Sequence, residues 1–153
     1  MSAATVAAVR PAPAEHGSVP AADQAADGRR DEGAAKKVLI VDREPGWVAE
    51  LARHLSAQGY APITAGDGLH ALYAVERERP DLVLLELELP ALSGFRLLRL
   101  LKHGGAAPAV PAIVLTALSF QEAQDAIRAG ADDFLQKPVL PQQVVSRVQQ
   151  LLR

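Results

Sequence analysis

In this chain, acidic residues, one threonine and one lysine stand directly after short apolar runs. Asp42, Arg43 and Glu44 follow the run VLIV at 38–41. Glu86 and Glu88 follow LVLL at 82–85, Thr116 ends AIVLT at 112–116, and Lys137 follows FLQ at 134–136. Brought together, these residues make an acidic pocket with one hydroxyl and one ammonium. Carboxylates of this kind ligate hard cations or pair with Lys and Arg. A second constellation is Gly66-Asp67-Gly68-Leu69-His70-Ala71. It matches the G-x-G-x-x-A form of a dinucleotide-binding turn, and Glu86 lies about 20 residues on, as that motif expects. Three features oppose a nucleotide site there: Asp67 puts a carboxylate beside the pyrophosphate, the turn is the second of its kind, and little chain remains for a second half. Other chemistries are excluded by residue type. There is no cysteine, hence no thiol nucleophile and no Cys-ligated zinc. His16, His54, His70 and His103 fit no zinc spacing. Ser93 lies in ALSGF, which is not the G-x-S-x-G elbow.

The elements that must position these residues are legible in the rest of the pattern. The chain has 153 residues, 49% apolar and 22% charged, which suits one domain with an ordinary core. With three Phe, two Tyr and one Trp, that core must be aliphatic. Residues 1–35 are rich in Ala, Pro and Gly and contain no Leu, Ile or aromatic residue. They bury too little apolar surface to offset ordering, and are read as a disordered arm before a domain at 36–153. From Lys36 on, apolar β-branched runs alternate with helical periodicity. Strands are expected at 38–41, 61–65, 82–85, 112–115 and around 134–135. Helices are expected near 45–58, 67–79, 95–102, 121–129 and from Pro141 onward. Strand and helix alternating five times imply a parallel sheet with helices on both faces and right-handed crossovers. Ligand sites in such sheets lie beyond the carboxyl ends of the strands, where the residues above stand. No apolar run reaches the ~20 residues of a membrane span. The formal net charge of −2 argues against a sequence-independent nucleic-acid binder, and no nucleic-acid partner is expected.

The segments VLIVDREP, PDLVLLELELPALSGFRLL, PAIVLTA and GADDFLQKP occur in order after successive strands. In this the chain resembles the receiver domain of two-component response regulators, over roughly 36–153. The resemblance implies a flavodoxin-like (βα)5 fold, α/β, with a doubly wound parallel five-stranded sheet. It implies a signalling module in the cytoplasm rather than an enzyme. In that family an aspartate ending the third strand accepts a phosphoryl group from a kinase histidine, and two acids after the first strand hold Mg²⁺. Carried over by motif, Asp42 matches the first acid, Thr116 the hydroxyl that contacts the phosphoryl oxygens, and Lys137 the lysine that does the same. Phe134 matches the aromatic switch position. The Lys137–Pro138 bond matches one that is usually cis.

Two positions depart from the family pattern. Glu86 stands where the acceptor aspartate belongs, and Arg43 where the second metal-holding acid belongs. Arg43 removes a carboxylate and adds a fixed positive charge, so Mg²⁺ binding is expected to be weak or lost, with Asp42 as a residual ligand. The extra methylene of Glu86 moves its carboxylate outward by about 1.5 Å, and a misplacement near 1 Å can cost ~100-fold in phosphoryl transfer. A bidentate Arg43–Glu86 pair is one expectation for the altered site. Contact of Glu86 with Thr116 and Lys137 is another. The reading is an atypical single-domain response regulator, a pseudo-receiver that acts by binding proteins and has no bound cofactor. The expected partner is a histidine kinase or an effector, docked on the face at 121–128, 134–136 and 142–153; a weak homodimer is compatible with it. The alternatives are a slow but genuine phosphoacceptor and, from another class, a nucleotide-binding domain using Gly66 and Gly68.

Overall fold

The computed structural model describes residues 10–11, 33–104, 109–117 and 119–153. The chain order is β1 (Arg10–Pro11), β2 (Lys37–Val41), α1 (Pro45–Ala57), β3 (Ala61–Ala65), α2 (Gly68–Glu78), β4 (Leu82–Leu85), α3 (Gly94–His103), β5 (Ala112–Thr116), α4 (Phe120–Arg128), β6 (Asp133–Gln136) and α5 (Pro141–Leu151). All pairings are parallel, in the order β1-β3-β2-β4-β5-β6. The five longer strands and five helices form the flavodoxin-like arrangement expected from the alternation. The sheet nevertheless has six strands, because Arg10 and Pro11 pair with Ile63 and Thr64. An edge strand leaves one row of N–H and C=O groups unpaired, and a short extended segment can meet them. Proline, lacking an N–H, is at home on such an edge. The remaining arm positions up to residue 32 lie outside the described residues.

Each central strand is buried on both faces, and alternate side chains feed two separate cores. Leu39, Val41, Val83, Leu85, Ala112 and Val114 pack against Ala71 and Ala74 of α2, Leu97 and Leu98 of α3, and Ala126 of α4. Val38, Ile40, Leu82, Leu84, Ile113 and Leu115 pack against Leu51 and Leu55 of α1 and Val144 and Val148 of α5. Both cores are aliphatic, as the shortage of aromatic residues requires.

Helix termini follow local chemistry. Pro45 and Pro141 open α1 and α5 at positions where a missing N–H is harmless. Asp67 and Ser93 cap α2 and α3, accepting from the backbone N–H of His70 and Arg96 at 2.8 and 3.2 Å. Ser119 and Glu122 form a capping box on α4.

Candidate phosphoryl-site pocket

The strand ends β2, β4, β5 and β6 converge at one edge of the sheet. The β2–β3 and β2–β4 registers set Asp42 just past the sheet: its N–H donates to Ala65 O at 3.1 Å, and the Glu86 N–H donates to Val41 O at 2.9 Å. The β5–β6 register places Thr116 opposite Gln136, and the Lys137 N–H donates to Thr116 O at 2.9 Å. The peptide after it, Lys137–Pro138, is cis.

In this pocket the Lys137 ammonium donates to Asp42 Oδ2 at 2.7 Å and to Glu86 Oε1 at 2.9 Å. Glu44 Oε1 stands 3.8 Å from the same nitrogen, with its side chain exposed. The remaining carboxylate oxygens are also engaged. Asp42 Oδ1 accepts from the Glu44 N–H at 3.0 Å, and Glu86 Oε2 accepts from the Glu88 N–H at 3.1 Å. The Thr116 hydroxyl, fully buried, hydrogen-bonds the Glu86 carboxylate. Burial by itself would raise the Glu86 pKa. The bonds from Thr116, the Glu88 N–H and Lys137 outweigh it and hold the carboxyl below its ordinary value. Burial would lower the Lys137 pKa, but the bonds to Asp42 and Glu86 hold it above its ordinary value. The site is thus a charged Asp42–Lys137–Glu86 triad with Thr116 attached to it. Among the described residues no group of three His, Cys, Asp or Glu stands in metal-ligating proximity.

The fold therefore brings together Asp42, Glu86, Thr116 and Lys137, with Glu44 at the rim. It corrects two other expectations. Arg43 is exposed, and the ion-pair partner of Glu86 is Lys137, not Arg43; the short reach from Glu86 into the strand-end crevice ends on the lysine already there. Glu88 lends the site its backbone N–H, while its side chain is exposed. The Gly66/Gly68 turn is not shaped for a pyrophosphate. A Cβ on Gly68 would overlap the carbonyl oxygen and Cβ of Leu92, so protein already fills the close approach. Asp67 occupies the helix terminus instead, and its second oxygen pairs with the His70 ring at 2.7 Å. Phe134 is half-buried and packs against the α2–α4 side of the sheet.

Two contributors escaped the sequence reading. Gly94 opens α3 tight against the site: a Cβ there would overlap Leu87 Cα and Glu86 O. The available signal was a glycine at the first helical position after a loop. Trp47, read only as an apolar helix residue, sets its ring 5.9 Å from Lys137 Nζ.

Comparison with known proteins shows the family. The model of the response regulator receiver domain matches residues 38–149. The DNA-binding response regulator MtrA of Mycolicibacterium smegmatis is 38% identical over 121 residues, which is 77% of this chain and 51% of that protein. The alkaline phosphatase synthesis transcriptional regulatory protein PhoP of Bacillus subtilis is 38% identical over 119 residues, 77% of this chain and 49% of that protein. The chemotaxis response regulator CheY4 of Vibrio cholerae superposes with a TM-score of 0.71 at 26% identity, covering 78% of this chain and all of that one. The chain spans about half the length of MtrA and PhoP. These relatives overturn the expectation that nucleic acid is no partner. That expectation rested on net charge, and the charge of a segment matching half of a DNA-binding regulator does not report on the contacts of the whole. No helix among the described residues is long and apolar enough to cross a membrane.

Proposed function

The chain belongs to the response regulator receiver family, and from that premise we propose that it is a pseudo-receiver: a two-component signalling module whose pocket is held by Glu86 instead of being switched by phosphorylation. One observation carries this reading. The Glu86 carboxylate is bonded to both the Thr116 hydroxyl and the Lys137 ammonium, the two groups that, by the family resemblance, meet phosphoryl oxygens. The longer side chain puts an anion where the added group's oxygens would lie. The donor set supports the same reading. A resident Mg²⁺ needs near-octahedral oxygen ligation. Here Arg43 replaces one acid, and Lys137 Nζ stands between the two buried carboxylates at 2.7 and 2.9 Å. The residues present do not fit that ion well, and Mg²⁺ affinity is weak in this reading. The pocket binds no cofactor and runs no enzymatic turnover. The module works in the cytoplasm, by contact with signalling proteins. The names of MtrA and PhoP support an output on nucleic acid for the whole regulator.

The test is chemical. Wild type incubated with Mg²⁺ and a small phosphodonor acquires no acyl-phosphate by mass analysis, whereas Glu86→Asp combined with Arg43→Asp acquires one. A phosphorylated Glu86 peptide from wild type replaces this reading with that of a slow, genuine acceptor.

A further inference from the structure

An ammonium has three N–H donors. In Lys137 two of them meet Asp42 at 2.7 Å and Glu86 at 2.9 Å. Among the described residues the third has no carboxylate in hydrogen-bonding range, since Glu44 Oε1 stands at 3.8 Å and is exposed. The Trp47 ring also stands near this nitrogen, its centroid 5.9 Å from Nζ. The Lys137 side chain as a whole is only 14% exposed.

Trp47 is the single tryptophan of the chain. It lies in the first turn of α1, entered through Pro45, and its ring packs on the core shared by α1 and α5. Its indole N–H is buried with no hydrogen-bond partner among the described residues. An unmet buried donor is unfavourable and rare in native proteins. Phenylalanine or leucine could fill the same apolar place without one. What tryptophan adds is the most electron-rich ring face for a cation. The orphaned N–H and the ring–ammonium contact thus have one explanation.

We infer that Trp47 is a positioning residue for Lys137: its ring closes the third side of the ammonium and holds it between Asp42 and Glu86. This rests on the lysine's surroundings and stands whether or not Glu86 substitutes for a phosphoryl group. The family resemblance assigned α1 no part in the pocket. Here α1 is coupled to the pocket through one side chain.

The experiment uses the full ¹⁵N-labelled chain and spectra selective for lysine ammonium groups. Exchange of the Lys137 ammonium protons with water accelerates in Trp47→Leu by about three- to tenfold, the scale of a partly desolvated cation–π contact. Trp47→Phe, which keeps a ring, restores most of the protection. Equal exchange in wild type and a folded Trp47→Leu overturns the inference. If Trp47→Leu does not fold, Lys137→Met in the wild-type background probes the same contact from the other side: Trp47 emission and its indole N–H resonance shift, and their constancy overturns the inference. Protection lost in Glu86→Gln but kept in Trp47→Leu also sinks this inference and leaves the reading of Glu86 untouched.

Discussion

At the scale of single residues, the pocket is organised around one buried ammonium and two buried carboxylates. The Glu86 carboxylate meets both Thr116 and Lys137, and Lys137 is held between two buried carboxylates. This makes stability pH-dependent at both ends. The Glu86 pKa is depressed below its ordinary 4.5 in the folded protein. Its contribution is therefore present above that value and is lost as pH falls through the folded pKa. The Lys137 pKa is raised above its ordinary 10.5, so its contribution is present below 10.5 and is lost as pH rises through the folded value. Urea titrations across pH should show a plateau between these limits. Glu86→Gln should flatten the acid limb below about pH 4.5. An unchanged acid limb in that variant contradicts the assignment. Lys137→Met strands Asp42 and Glu86 without their counter-charge, and its loss should fall near the upper end of ordinary single substitutions, about 2–3 kcal/mol.

At the scale of elements, close packing shapes the turns, as the two glycines at the start of α2 show. Gly66 is exposed with open space at its Cβ position, while Gly68 is pressed against Leu92. Gly66→Ala should be nearly neutral. Gly68→Ala should destabilise by about 1–3 kcal/mol, the usual penalty of overpacking, as thermal or urea melts would show. Equal effects would mean that the β4–α3 loop gives way freely. Gly94→Ala belongs with Gly68→Ala, because the overlap there is with backbone of Glu86 and Leu87. The β4–α3 loop carries Ala91 at φ 70°, in the left-handed region uncommon for a residue with a side chain, with the Leu92 N–H bonded to Pro90 O at 2.8 Å across it. The tight turn holds Leu92 over Gly68 and so ties α2 to the strand that precedes Glu86. Removing the cap of that helix, Asp67→Ala, should lower stability by about 0.5–2 kcal/mol, and the loss should shrink as acid protonates Asp67. Burial alone would raise the pKa of Asp67, but bonds from His70 and Leu69 hold it below its ordinary 3.8.

At the scale of the whole molecule, one sheet separates two aliphatic cores, and the pocket sits where both end. Leu51 on one side and Leu97 on the other are fully buried, whereas Leu69 is 57% exposed. Leu51→Ala should cost about 2–5 kcal/mol in urea unfolding, while Leu69→Ala should stay within about 0.5 kcal/mol. The sheet is shared by both cores, so the loss at Leu51 should appear in one cooperative transition that includes the opposite face. A separate transition for α1 and α5 would contradict that.

Much of this was legible in the sequence, for a physical reason. Strands buried on both faces must be continuous apolar runs, and VLIV, LVLL and AIVLT announced themselves as such. Parallel order and the crossover rule then put Asp42, Glu86, Thr116 and Lys137 at one edge. Two helix starts were legible too, since Pro45 and Pro141 act through their own backbone. What stayed hidden depends on side chains far apart in the chain. Nothing local separates an exposed Arg43 from one paired with Glu86; the choice followed from Lys137, 51 positions beyond Glu86, already standing between the carboxylates. The spacing at Gly68 fits a phosphate turn, Asp67 already opposes that reading in the sequence, and the packing of Leu92 shows that the place is taken. Trp47 read as one more core residue, because its nearness to Lys137 requires α1 and the end of β6 to meet. Composition and periodicity determined the elements and which strand ends carry charge. The tertiary structure decided which charges touch, because contact depends on the docking of helices and loops that no single segment encodes.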